Sequence, residues 1–411
     1  MRSRGEIEAR QWDLLRGLFA RVPASSFYGR KFRGLEAPKS IADFCARFPF
    51  TTKTELARDQ HAAPPFGTVL LEPIEHYTRL HQTSGTTSSP MRWLDTPESW
   101  NAIGDCWIRV LTAAGVTKAD RFFFAFSFGP FIGFWMAFDA AQRLGCLCLP
   151  AGGMSSAARL RMLMDTRATV LCCTPTYALR LAEAAAQEKI DLSKSAIRRI
   201  MVAGEPGGSI PSVRARLEQL WPGARVCDHH GMTEVGPVTY ECPKTPCRLH
   251  VMEEAFIAEI IDPTTGAPAA KNDRGELVLT TLVRTGAPVF RYRTGDVVQP
   301  RADVSCECGS HELSLEGGIL GRADDMALVR GVNVFPSAVE DLIRSFPEIS
   351  EYRVTLKNSE MEIEIESDRE GVDAALHKAL QTTFSLRVPV RNVPGNSLPR
   401  AEMKSKRWIR A

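Results

Sequence analysis

Between residues 98 and 230 short apolar runs alternate with longer stretches of helical periodicity, and this alternation constrains the fold more than any other feature. Trp100, Ile103, Trp107, Val110, Leu111 and Ala114 recur at helical spacing, and the run Phe122 to Phe126 follows at strand length. The same reading predicts helix 131–144, strand 146–149, helix 157–164, strand 169–173, helix 177–187 and strand 199–203. Apolar strands separated by helices predict a parallel sheet covered on both faces.

From residue 251 to 300 the pattern turns to β, with strands predicted over 256–261, 276–282 and 289–292 between Asp-Pro, Arg-Gly and Gly-Ala-Pro turn signals. Past Gly321 the pattern predicts strand 326–329, helix 337–345, a hairpin and a helix near 372–380. In the hairpin Tyr352, Val354 and Leu356, and then Met361, Ile363 and Ile365, alternate with polar residues. A chain of 411 residues is too long for one ordinary core. The expected architecture is α/β: a large amino-terminal domain, residues 1–320, with a helix-flanked parallel sheet and a β-rich subdomain over about 240–320. A small α+β carboxyl-terminal domain, 322–411, follows a short hinge near Gly321 and Arg322.

Composition removes several classes of partner. The 51 Lys and Arg residues are nearly balanced by 48 Asp and Glu, with no long run of one sign to form a nucleic-acid stripe or a polybasic membrane anchor. Charges at Arg2, Arg4, Glu6, Glu8, Arg10 and Asp13 interrupt the first residues. The most apolar stretch, Phe122 to Leu149, is broken by Gly129, Pro130, Asp139 and Arg143, so neither a leader nor a membrane span is expected. Eleven cysteines, an odd number, argue for a reducing compartment and against a disulfide framework. A soluble, cytoplasmic protein is expected.

Five segments bear chemistry. Gln82-Thr83-Ser84-Gly85-Thr86-Thr87-Ser88-Ser89-Pro90 offers hydroxyl and backbone N–H donors around a glycine that lets a polyphosphate approach, and it lacks the Gly-Lys-Ser/Thr ending of a Walker loop. Asp228-His229-His230-Gly231-Met232-Thr233-Glu234 follows a short strand and places a ring, a hydroxyl and a carboxylate where a nucleotide, its phosphates and Mg²⁺ can be met. Arg291-Tyr292-Arg293-Thr294-Gly295-Asp296 ends on a carboxylate suited to ribose hydroxyls. Gly321-Arg322-Ala323-Asp324-Asp325 precedes Arg330-Gly331-Val332-Asn333-Val334-Phe335-Pro336, and Leu398-Pro399-Arg400-Ala401-Glu402-Met403-Lys404 lies near the carboxyl terminus.

In this order the five segments resemble the adenylate-forming superfamily of acyl-CoA ligases, and within it the phenylacetate–CoA ligase branch, from about residue 80 onward. Gly204-Glu205-Pro206, the string Met232 to Pro237, Phe290 to Asp296 and Val329 to Pro336 carry the branch-like features. The resemblance implies that ATP and Mg²⁺ activate a small carboxylic acid as its acyl-adenylate and that coenzyme A takes the acyl group. It implies that Thr83, Ser84, Gly85, Thr86 and Thr87 grip the phosphates, that Gly204, Glu205 and Pro206 wall the adenine, and that Asp228, His230, Gly231 and Met232 belong to the nucleotide site. His230 stands where relatives have a stacking tyrosine. Thr233 would contact phosphate, Glu234 would hold Mg²⁺, and Asp296 with Arg322 would bind the ribose. Lys404 would stabilise charge as pyrophosphate leaves. Rotation about Asp324 would then bring the Gly331 loop to the site and open a thiol channel.

Three departures from the pattern stand out: Ser88-Ser89 in place of Gly-Lys, with Arg92 nearby as a substitute cation, Met403 in place of glycine, and His230 in place of tyrosine. Cys242, His250, Cys306 and Cys308 match a ligand set found in some members of the branch and suit a closed, structural zinc site, with Cys247 and His311 as rival ligands. Phe126, Phe128, Phe131, Ile132 and Trp135 read equally as core or as acyl pocket; as a pocket they favour an aryl or arylacetic acid. A carrier-protein phosphopantetheine offers the same thiol as CoA, and a nucleotide-binding homologue without ligase activity also fits the departures. The resemblance implies a homodimer.

Overall fold

The structure, a computed structural model, describes residues 2–23, 26–83, 90–301, 305–330, 332–400 and 407–410. By packing the chain divides into two units, Met1–Gly152 with His229–Gly318 and Gly153–Asp228 with Ile319–Ala411.

In the first unit Ser3 and Glu6 form a capping box that starts the helix Arg4–Phe19. Thr96 caps the helix Pro97–Ala113, whose proline sits where an N–H would be unpaired anyway. Trp100, Ile103, Trp107, Val110 and Leu111 form its buried stripe, as their spacing predicts. Strand Arg121–Phe124, helix Ile132–Leu144 and strand Leu147–Pro150 make a βαβ crossover with parallel register from Arg121↔Leu147 to Phe124↔Pro150. Gly145 stops the helix at φ +90°, a left-handed backbone free of Cβ clash in glycine.

The β-rich part is a six-stranded sheet in the order Thr239–Glu241, Arg248–Val251, Ser314–Arg322, Tyr292–Pro300, Gly275–Thr281 and Phe256–Ile261. The strand expected over 289–292 begins only at Tyr292. Before it, the N–H groups of Val289, Phe290 and Arg291 donate to the hydroxyls of Thr281, Tyr28 and Thr280 instead of joining a full ladder. Arg291 also takes φ +45°, which breaks the strand geometry.

In the second unit strands Val170–Cys173, Arg199–Val202 and Arg225–Asp228 pair in parallel, with helices Ser156–Asp165, Pro175–Gln187 and Pro211–Leu220 between and before them. The carboxyl-terminal residues form a four-stranded sheet, Val390–Val393, Glu360–Glu366, Glu351–Lys357 and Trp408–Arg410. The hairpin register Tyr352↔Ile365, Val354↔Ile363 and Leu356↔Met361 sets the alternating apolar residues on one face. Val339 and Ile343 of helix Pro336–Arg344, and Leu376 and Leu380 of helix Val372–Phe384, close the core with Val354 and Ile363. Among the described residues no helix is long and apolar enough to cross a membrane.

Candidate active site

The residues Gly231–Met232 and Gly236–Pro237 pair antiparallel, so Thr233, Glu234 and Val235 form the tip of a minimal hairpin. Glycine is required on both arms. A Cβ on Gly231 would meet the Gly236 carbonyl oxygen at 2.8 Å, and Gly236 itself takes φ +87°. Glu234 is only 3 % exposed. Its Oε1 accepts from the Tyr292 hydroxyl at 3.2 Å and lies 3.3 Å from Lys53 Nζ.

Behind the tip lies Arg284, which is wholly buried. It donates to both Asp95 oxygens at 2.7 and 2.6 Å and to the Thr233 carbonyl at 2.6 Å. Burial alone pushes the Asp95 carboxyl up, but the Arg284 charge and its hydrogen bonds, with His81 3.8 Å away, carry it below the ordinary carboxylate range. A bidentate guanidinium on one carboxylate thus fixes the backbone that presents Thr233 and Glu234.

Asp296 lies on the strand Tyr292–Pro300 within a bulge: register pairs Glu276↔Val297 and Val278↔Arg293 leave Leu277 opposite Thr294, Gly295 and Asp296. Gly295 takes φ +77°, and its N–H donates to Glu276 at 3.1 Å. The bulge turns the Asp296 carboxylate to His230, whose Nε2 lies 2.9 Å from Oδ2. The neighbouring His229 packs edge-on against Trp107 at 4.3 Å, and burial, with the charge of His230, pushes its pKa down to about 3.

The first unit therefore brings Thr233, Glu234, His230 and Asp296 onto adjoining strands and turns. Thr83 follows the strand Arg79–Gln82, which pairs antiparallel with Arg92–Asp95 ahead of the helix at Pro97, and its N–H donates to the Met91 carbonyl at 2.9 Å. Ser84, Gly85, Thr86, Thr87, Ser88 and Ser89 lie outside the described residues, as do Gly331, Met403 and Lys404. Arg92, the nearby cation, is exposed and donates to the Pro65 carbonyl at 3.3 Å.

In the second unit Glu205 accepts from the Thr176 N–H at 2.8 Å, which ties the Gly204-Glu205-Pro206 loop to the start of helix Pro175–Gln187. Ser209 Oγ donates to Asp228 at 2.6 Å, and a Cβ on Gly208 would meet that carboxyl at 2.5 Å. Arg322 pairs with Asp324 at 2.9 Å.

The sequence pattern marks Tyr292 only as a member of its motif, and does not mark Lys53, Arg284 or Asp95. For Lys53 a signal existed: it occupies the first position of helix Lys53–Ala62, where the helix dipole favours acids over cations. Arg284 and Asp95 carry no local signature.

Cys242, His250, Cys306 and Cys308 offer ligand atoms that all lie within 4.8 Å of one another, and the group does not include Cys247 or His311. The Cys242 and Cys306 sulfurs are 3.6 Å apart, and Cys308 Sγ is 3.4 Å from His250 Nε2. The edges of a tetrahedral zinc site with three thiolates and one imidazole are about 3.6–3.8 Å, so the donor set suits that ion. Tyr240 stacks on His250 at 5.2 Å, and its hydroxyl donates to Glu312, which also holds Arg109.

Phe126 stacks on Phe134 at 4.0 Å, Phe128 meets Trp135 at 4.8 Å, and Phe131 meets Phe134 at 5.9 Å. Ile132 is buried, while Trp135 is 42 % exposed and donates to the Gly129 carbonyl at 2.7 Å. A separate cavity of about 500 Å³, lined by Arg4, Gln11, Trp12, Cys45 and Glu253, contains none of these residues; its buried Glu253 is already paired with Arg4 and the Leu313 N–H.

The sequence pattern of the AMP-binding enzyme family matches residues 71–282, just over half of the chain, and that of the AMP-binding enzyme C-terminal domain matches 331–410. The chain belongs to the AMP-binding enzymes. Phenylacetate-coenzyme A ligase of Pseudomonas putida is 31% identical over 97% of this chain and 92% of its own length. The enzyme of that name from Thermus thermophilus is 32% identical over 81% of this chain and 73% of its own. The crystal structure of a 2-hydroxyisobutyryl-CoA ligase in the postadenylation state, in complex with R3-HIB-AMP, aligns with a TM-score of 0.92 at 27% identity, over 100% of this chain and 90% of that one. Within the family the chain falls in the phenylacetate–CoA ligase-like branch, whose members are AMP-forming acid–thiol ligases.

Proposed function

We propose that the chain uses ATP to activate a small aromatic carboxylic acid as its acyl-adenylate, releasing pyrophosphate, and then transfers the acyl group to the thiol of coenzyme A. The observation that carries the aromatic choice is the ring cluster of Phe126, Phe128, Phe131, Phe134 and Trp135, partly open at Trp135, together with the phenylacetate-coenzyme A ligases among the relatives. Aromatic walls suit an aryl side chain by edge and face contacts.

In this reading Thr83, Ser84, Gly85, Thr86 and Thr87 contact the phosphates, Gly204, Glu205 and Pro206 border the adenine, and Asp296 and Arg322 hold the ribose. Asp228, Gly231 and Met232 shape the nucleotide loop. Glu234 would hold Mg²⁺, which when bound neutralises phosphate charge. Lys53, 3.3 Å from Glu234, supplies a cation beside the phosphates in place of the one missing at Ser88-Ser89. Lys404 stabilises the charge that develops between the acid and the α-phosphate. The functional domains are 1–320 and 322–411, with Asp324 as hinge and the Gly331 loop lining the thiol channel. Cys242, His250, Cys306 and Cys308 would hold a structural zinc, since four protein ligands leave no open position.

The test is ATP–pyrophosphate exchange across phenylacetic, benzoic, heteroaryl and 2-hydroxyisobutyric acids, with Lys404→Ala alongside. An aromatic acid should support exchange, and the variant should lose about 10²–10³-fold. Exchange with 2-hydroxyisobutyrate alone would sink the aromatic assignment, and equal exchange by the variant would sink the role of Lys404.

A further inference from the structure

We infer that His230 is a positioning residue for the nucleotide sugar, acting through Asp296 rather than through its own ring face. The inference rests on the assignment of Asp296 to the ribose hydroxyls.

His230 is held at its backbone before its side chain is considered. Its N–H donates to Thr239 Oγ1 at 2.9 Å, and its carbonyl accepts from the Val238 N–H at 2.9 Å and from the Thr239 N–H at 3.2 Å. The imidazole then reaches Asp296, with Nε2 2.9 Å from Oδ2 and the two side chains 13% and 7% exposed. An ionised carboxylate only accepts, so the contact requires the proton on Nε2. Nδ1 is buried and, among the described residues, has no hydrogen-bond partner, so nothing at that nitrogen orients the ring. The hydrogen bond to Asp296 is what fixes it.

The bond works equally in the other direction. Asp296 sits in a bulge whose Gly295 has left-handed backbone, and the Asp296 N–H is already committed to Thr294 Oγ1 at 3.0 Å. A side chain on a bulge has more rotational freedom than one in a regular ladder, and a donor carried on a backbone held by three hydrogen bonds narrows it. A carboxylate held in one rotamer before the nucleotide arrives binds vicinal hydroxyls without the ordering cost. A phenol ring at position 230 would bring a larger stacking face and a differently placed donor. The histidine exchanges face area for control of the carboxylate.

The experiment is calorimetric titration of the full chain with Mg-ATP and with Mg-2′,3′-dideoxyATP, for wild type, His230→Phe, His230→Gln, Asp296→Asn and the double variant His230→Phe/Asp296→Asn. Melting temperatures serve as a check on folding. Wild type should prefer ATP over the dideoxy analogue, and His230→Phe should weaken ATP by about tenfold while changing the analogue less than about twofold. His230→Gln, which keeps an N–H donor at similar reach, should recover most of the loss, and the double variant should bind no more weakly than Asp296→Asn alone. Equal weakening of both nucleotides by His230→Phe, or additivity in the double variant, would overturn the inference while leaving the ribose assignment standing. A wild type that binds the two nucleotides equally, or binds neither, removes that assignment and the positioning role together.

Discussion

Arg284 in the first unit and Arg407 in the second are both buried, yet they balance their charge in different ways. Arg284 meets a single carboxylate, Asp95, and gives a third N–H to the Thr233 carbonyl. Arg407 meets two carboxylates, Glu351 at 2.5 and 3.1 Å and Glu340 at 3.3 Å, as well as Thr176 Oγ1 at 3.3 Å. Arg344, 3.5 Å from Glu351, shares the load. The first arrangement has no redundancy and holds one backbone carbonyl in place. The second is a network of two arginines and two glutamates in which a lost member leaves partners behind. A site that must present Thr233 and Glu234 in one geometry is served by the former.

Removing each arginine tests that contrast. Arg284→Met leaves the Asp95 carboxylate buried without its guanidinium and with only His81, 3.8 Å away, beside it, so unfolding by denaturant should show a loss of about 3–5 kcal/mol, with faster amide exchange at Thr233 and Glu234. Arg407→Met should lose less, about 1.5–3 kcal/mol, because Arg344 remains beside Glu351. A larger loss for Arg407→Met than for Arg284→Met would break the comparison.

Acid sharpens it further, because the two regions respond with opposite sign. In the first unit His229 is kept neutral, with its pKa lowered to about 3, so the unfolded chain takes up the proton first as pH falls. Stability should therefore be lost below about pH 6.5, at up to about 1.4 kcal/mol per pH unit, and His229→Phe should flatten that slope in unfolding measured from pH 7 to 5. In the second unit burial raises the Glu340 carboxyl above its ordinary value, although Arg407 and Arg344 oppose the shift. There the unfolded chain releases its proton first, so the Glu340 contribution falls as pH rises through the window above 4.5. Glu340→Gln should remove this decline, read as a change in slope above pH 4.5. A steeper slope in the variant would show that the arginines, not desolvation, govern Glu340.

The secondary structure between residues 98 and 230 was legible because burial writes itself into periodicity: the stripe Trp100, Ile103, Trp107, Val110 and Leu111 is the buried face of its helix. The strand at Tyr292 was misplaced by three residues because Val289 and Phe290 are apolar, while their N–H groups go to hydroxyls from elsewhere in the chain. Side-chain hydroxyls that replace a ladder leave no mark in a local window. The Cys242, His250, Cys306 and Cys308 set was read from its match to the branch with Cys247 and His311 as rivals, and the distances gather those four without either rival.

What the sequence determined by itself is the alternation that defines the α/β units, the family, and the order of its motifs, because these depend on residues near one another in the chain. What only the tertiary structure decided is the support beneath the motifs. Asp95, Thr233 and Arg284 meet across 189 residues of chain, and His230 meets Asp296 across 66. A hydrogen bond between such distant groups is set by how strands stack and where a bulge falls, and no local pattern records it.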